Sequence, residues 1–221
     1  MNEKQRSPRR RFDSASLAPQ SDAAELPLEP LPPEPRPGAT EHPGEDAPIV
    51  IVPIGTIDDV LLKGVSPALT ASFRRSVTMH RGLPIPKYAF NPSRAQYHSA
   101  AILKRVETLR SLDWDCAIGI VDVDLFVPEV PFVFGEADRG TRSAVISLAR
   151  LRPEIGSVES RREVLTKRLV AEIIHQMGLI RGLAHCPNNR CVMFLSSTVQ
   201  DTDKKGTQFC ANCRKRLVTE F

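Results

Sequence analysis

Hydrophobic positions along this 221-residue chain change their period several times, and each change marks an element. Residues 49 to 52, IVIV, form an unbroken, β-branched apolar run that ends at Pro53, which reads as a buried strand. Residues 58 to 80 are helical in part, with Pro67 near a helix start. From 97 to 112 the spacing turns helical, and Ala101, Ile102, Val106, Leu109 and Leu112 fall on one face. The run DCAIGIVDVDLFVP, 115 to 128, reads as a long strand with a polar end. Two further strands are expected at 132–134 and 144–148, around the turn-like stretch GEADRGTRS. A helical pattern then fills 163 to 183, and loop-like sequence follows. The order predicts an α/β or α+β layered domain with a twisted mixed sheet and packed helices.

Before residue 48 the picture differs. LAPQSDAAELPLEPLPPEPRPGATEHPGEDAP is rich in Pro, Glu and Ala and poor in large apolar groups. Such a segment cannot offset its ordering entropy. Residues 1–47 are therefore expected to be a disordered tail, and 48–221 the folded domain. The tail's RRR cluster suits a docking arm, although a solvated tail explains it as well. A net charge of +4 points to no particular partner. No long apolar run spans a membrane, and the basic N-terminus is not followed by the apolar stretch of a secretory signal. A cytoplasmic location is expected, without membrane association. Oligomeric state leaves no trace in the sequence.

The cysteines add a metal. Four of five fall in the last 36 residues: Cys186 and Cys191 as C-x4-C, then Cys210 and Cys213 as C-x2-C, with 18 residues between the pairs. Two short-spaced pairs can supply four thiolates to one tetrahedral zinc. A closed site of that kind holds a fold together and does no chemistry. Free thiols without metal are the plain alternative. A nucleic-acid knuckle is another, given Lys204-Lys205 and Arg214-Lys215-Arg216, but such charges are more often solvated surface. Cys116 stands alone in an apolar run and reads as core.

The stretch HQMGLIRGLAHC, 175 to 186, then CVM, then CANC, resembles the archaemetzincins, zinc peptidases of metzincin type, whose pattern is H-E-x-x-H-x-x-G-x-x-H-C, C-x-M and C-x-x-C. The resemblance covers about 49 to 221 and includes VDVDLFVP, FVFGEA and VISLARL upstream. The gap after Met193 is one residue shorter than the family's. His175 takes the first histidine position, Gly182 the glycine and His185 the third histidine. Met193 takes the place of the methionine beneath the metal. The resemblance implies a metzincin-like fold with a C-terminal four-cysteine zinc, and peptide hydrolysis by zinc-activated water. It also implies an edge strand, 132–135 or 144–148, that holds an extended peptide.

Two positions depart from the pattern. Gln176 stands where the family's general base would be, and Leu179 replaces its second histidine. A glutamine amide is neither acid nor base at neutral pH, and an isobutyl group cannot ligate zinc. A shifted register through Glu172 recovers fewer of the pattern's residues, though Glu172 lies one turn before His175 and could join it and His185 in a rebuilt site. For Gly178 the plain reading is close packing. Asp122 and Asp124 look like a carboxylate pair, but a solvated strand end accounts for them. Three functions compete. The first is an inactive or weakened peptidase homologue, with one structural zinc, that binds a peptide or protein. The second is a zinc-dependent peptidase with a remodelled site. The third is a zinc-stabilised module for nucleic acid or protein. The first is favoured; it has no secure seat for a second, catalytic zinc, and nucleic acid is not expected as its partner.

Overall fold

A computed structural model of the chain describes residues 44, 46–109 and 111–219. The expected tail lies almost wholly outside the described residues. Gly44 is anchored: its carbonyl accepts from Arg75 at 2.6 Å.

Strand β1, Ile49–Ile54, continues through Pro53 and is buried along nearly its whole length. It pairs in parallel with β5, Cys116–Val121, which is fully buried. Around them lie β2, Val77–Met79, β8, Ser143–Ser147, and β7, Gly135–Asp138, in the order β2-β1-β5-β8-β7. Only β7 runs antiparallel, on β8, and it forms one edge of the sheet. Period-2 alternation sends the apolar side chains to opposite faces. Ile49, Ile51, Ile118, Ile120 and Ile146 meet helix α1, Asp59–Phe73, and helix α3, Val158–Ile180. Val50, Val52, Ala117, Val121 and Val145 meet helix α2, Ser99–Glu107. A sheet covered on both faces explains the continuous apolar runs. The fold is thus the mixed α/β arrangement expected.

Several boundaries move. Pro67 lies inside α1 rather than near a start. Leu61, Leu62, Val65 and Leu69 bury that helix against the core, which offsets the hydrogen bond proline cannot donate. Tyr97 belongs to the short strand β4, Gln96–His98, and Leu112 lies beyond α2, 59% exposed. The long strand expected from 115 to 128 breaks after Val121. Its second part, β6, Leu125–Phe126, joins β4 and β3, Phe90–Asn91, in a separate three-stranded sheet. The break is the polar Asp122-Val123-Asp124. Each carboxylate there is held by an arginine, Asp122 by Arg152 and Asp124 by Arg150 at 2.6 Å. The strand expected at 132–134 is instead the approach to β7, which occupies the stretch read as a turn. The turn itself is confined to 139–142, where Asp138 accepts from the Thr141 amide and Arg142 takes a φ of 49°. At the C-terminus, sequence expected to be loop contains two helices, α4, Val199–Lys205, and α5, Ala211–Thr219.

Candidate active-site cleft and metal centre

Helix α3 starts five residues before the periodicity suggested, because Ser157 caps it by accepting from the Ser160 amide. Nearly three turns toward its C-terminal end, from Leu169 to Gly178, are buried on every side. His175 and Gln176 both sit in that stretch. Gly182 ends the helical turn with a φ of 79°, and the Leu183 amide returns to the Gly178 carbonyl at 3.0 Å. That turn brings His185 back over the helix, so the two imidazoles stack with centroids 5.3 Å apart and planes 17° apart.

His175 is fixed from below. Its Nδ1–H donates to the Val192 carbonyl at 2.8 Å, which leaves Nε2 as an acceptor. Burial first, then the Lys205 ammonium, push its pKa down to about 4. The same two causes lower that of His185. Met193 follows Val192 and packs directly on the helix at Gly178. A Cβ there would meet the Met193 sulfur at 2.3 Å, so the glycine is a packing requirement.

Leu179 is partly buried and packs on the main core. Gln176 is 4% exposed, and its Oε1 has no hydrogen-bond partner. The two histidines do not recruit a third ligand: among the described residues, only the four cysteines form a converging group of three or more His, Cys, Asp or Glu side chains. Glu172, the proposed rescuer, is engaged elsewhere. Its Oε1 pairs with Lys205 Nζ at 2.9 Å and accepts from the Thr202 hydroxyl at 2.8 Å. Lys205, read from sequence as solvated, is the largest fully buried side chain among the described residues. The clue was available: Val199, Thr202 and Lys205 lie at helical spacing behind the Thr198 cap. The residues present therefore do not fit a catalytic zinc.

The four-thiolate site does fit. The ligand atoms of Cys186, Cys191, Cys210 and Cys213 all lie within 4.8 Å of one another. Cys186 and Cys210 sulfurs are 3.9 Å apart, close to the ~3.8 Å edge of a tetrahedron with ~2.3 Å zinc–sulfur bonds. Hydrogen bonding, chiefly from the Cys213 backbone N–H, brings the Cys210 thiol down to about 7. Burial raises the pKa values of Cys191 and Cys213, and a bound metal would take all four as thiolates.

In front of α3 lies a cavity of about 250 Å³, walled by residues 130–135 and 195–197 and floored by Glu172, His175 and Gln176. Asp124 is part of its scaffolding rather than a catalytic pair with Asp122. Arg150 binds Asp124 through two nitrogens and lies 4.2 Å over the Phe132 ring. Arg94 donates to the Val130 and Pro131 carbonyls, each at 3.0 Å, and Gln96 donates to Pro131 at 2.9 Å. Sequence reasoning missed these wall anchors and Ser196, because they come together only through the small second sheet and the loop after Met193.

A mixed sheet with an antiparallel edge strand, a histidine-bearing helix behind a cleft and a four-thiolate centre define a metzincin-type peptidase fold. The model of peptidase family M54 matches residues 79–219. The archaemetzincin of Methanocaldococcus jannaschii is 38% identical over 169 residues, 76% of this chain and 92% of that protein. That of Thermococcus kodakarensis is 39% identical over 176 residues, 77% and 95%. The crystal structure of the Methanopyrus kandleri archaemetzincin superposes with a TM-score of 0.70 at 27% identity, covering 80% of this chain and 97% of that one. A malonate complex of the Archaeoglobus fulgidus archaemetzincin gives 0.65 at 30% identity, over 76% and 99%. The chain belongs to peptidase family M54, the archaemetzincins. Of its described residues, no helix is long and apolar enough to cross a membrane.

Proposed function

We infer that this archaemetzincin holds peptides in its cleft and hydrolyses them weakly or not at all. The observation that carries the reading is the pair Gln176 and Leu179 on one helix, at the places where the resemblance requires a base and an imidazole. A neutral amide can hold a water but cannot take its proton. Loss of general-base assistance alone commonly costs about 10²–10⁴-fold in rate. Loss of a ligand costs more, because it removes the seat of the metal. His175 and His185 remain stacked without a third convergent donor of the usual metal-binding types among the described residues, which speaks against the remodelled peptidase. The cleft itself persists, with β7 as an edge strand beside it, and edge strands bind extended peptides by main-chain hydrogen bonds. Five cysteines without a disulfide, four of them grouped as a metal centre, suit a reducing compartment, so we place the chain in the cytoplasm.

The test is metal counting beside a peptidase assay. The parent chain should carry one zinc and show no chelator-sensitive cleavage. The variant Gln176→Glu with Leu179→His should gain a second zinc and measurable hydrolysis. Chelator-sensitive peptide cleavage by the parent would overturn the reading.

A further inference from the structure

Polar atoms with hydrogen bonds still unmade face the cleft cavity. Gln176 Oε1 and Ser196 Oγ are buried and without partners, and both residues line the cavity. His175 also lines it and spends its Nδ1–H on Val192, leaving an acceptor. An unpaired buried acceptor carries its full desolvation penalty until a donor arrives. Around this floor the wall from 130 to 135 is apolar and braced. Phe132 and Phe134 meet edge to face at 5.2 Å, and Arg150 stacks on Phe132. The position of Gln176 is built in as well: a Cβ at residue 135 would lie 3.0 Å from Gln176 Nε2, and glycine removes that contact.

We propose that this cavity selects an uncharged peptide side chain ending in a carboxamide. The proposal rests on the peptide-cleft reading above and names what that cleft prefers. A carboxamide offers two N–H donors, for Gln176 Oε1 and the free His175 nitrogen, and one acceptor, for the Ser196 hydroxyl. An ammonium would lie close to the buried Lys205–Glu172 pair and lose its hydration without a free counter-charge. A carboxylate would meet acceptors. An alkyl group of equal size would fill the space and leave the orphans unpaired, the situation in which sites built for hydrogen bonds discriminate most.

The test uses the full chain and fluorescein-labelled, end-blocked peptides Ala-Ala-X-Ala-Ala, with X as Gln, Met, Glu or Lys, read by fluorescence anisotropy. The glutamine peptide should bind at least tenfold more tightly than the other three, about 1.4 kcal/mol. Ser196→Ala should cut its affinity about fivefold, with a thermal melt like the parent's showing that the variant is folded; an unchanged affinity in a folded variant would overturn the role of the hydroxyl. If methionine binds as well as glutamine, the selectivity is wrong and the cleft reading survives. If no peptide binds, the cleft reading fails and takes this one with it. Chelator-sensitive cleavage with the glutamine preference intact would overturn only the loss of hydrolysis.

Discussion

Replacing Lys205 by methionine should be among the most damaging single changes in the C-terminal half. The Lys205 side chain is 0% exposed and that of Glu172 3%, with 2.9 Å between their charged atoms. Methionine fills most of the lysine volume, so the effect isolates the charge. The Glu172 carboxylate would keep only the Thr202 hydroxyl at 2.8 Å. Breaking a buried pair from one side costs about 3–5 kcal/mol, because the remaining charge stays buried. For a domain of this size each kcal/mol moves the midpoint by about 2–4 °C, so Tm should fall by about 6–20 °C in scanning calorimetry. Removing both charges, Glu172→Leu with Lys205→Met, should return most of that loss, since apolar replacement of a whole pair is often neutral. Lys204→Met, at an exposed neighbour, serves as control. A Tm for Lys205→Met within 2 °C of the parent, or a double variant worse than the single, would refute the argument.

Acid should weaken the fold through His175. Its pKa is near 4 when folded against 6.5 ordinarily, so the unfolded chain takes up a proton that the folded chain refuses. Stability from this group is complete above about pH 6.5, falls as pH drops through the window, and is lost by about pH 4, a total of roughly 3 kcal/mol. Denaturant titrations at pH 7.5 and 4.5 should show a smaller loss for His175→Gln than for the parent; equal losses would dismiss the histidine. Cys213→Ser should bring zinc content from one per chain to well below it by elemental analysis, with loss of cooperative unfolding, because metal binding and folding are linked at such centres. Gly178→Ala should destabilise by about 1–3 kcal/mol despite its better helix propensity, through the clash with Met193. Met193→Ala should relieve much of that clash in the double variant, measured by the same titrations.

The central sheet was readable because burial on both faces writes itself as uninterrupted apolar runs, as in IVIV and CAIGIV. Strand β7 was not, since all four of its residues are half-exposed and polar or small enough to pass for a turn. Helices α4 and α5 were hidden by their length. At 7 and 9 residues they owe their stability to the metal loop and the core beneath them, and little to local preference. The cysteine cluster was legible by spacing alone, since thiolates need short turns to converge. The inner face of Lys205 was obscured by its neighbour: two adjacent lysines look like surface, yet one helical step of 100° separates solvent from core.

The residues of the motif divide by the work they do. Gly178 makes room for Met193, Gly182 supplies the left-handed turn, the cysteines converge, and His175 ties α3 to the segment 192–193. Each of these holds the cleft together whether or not a catalytic metal is present. A base beside His175 and an imidazole one turn later hold nothing in place; they serve only a metal and its water. Leucine at 179 adds apolar contact to the core, and glutamine at 176 keeps the shape of a glutamate without its charge. Under the proposed function, the affinity of the cleft for the glutamine peptide, read by the same anisotropy assay, should survive Leu179→His and fall with changes to Phe132 or Ser196 in its wall.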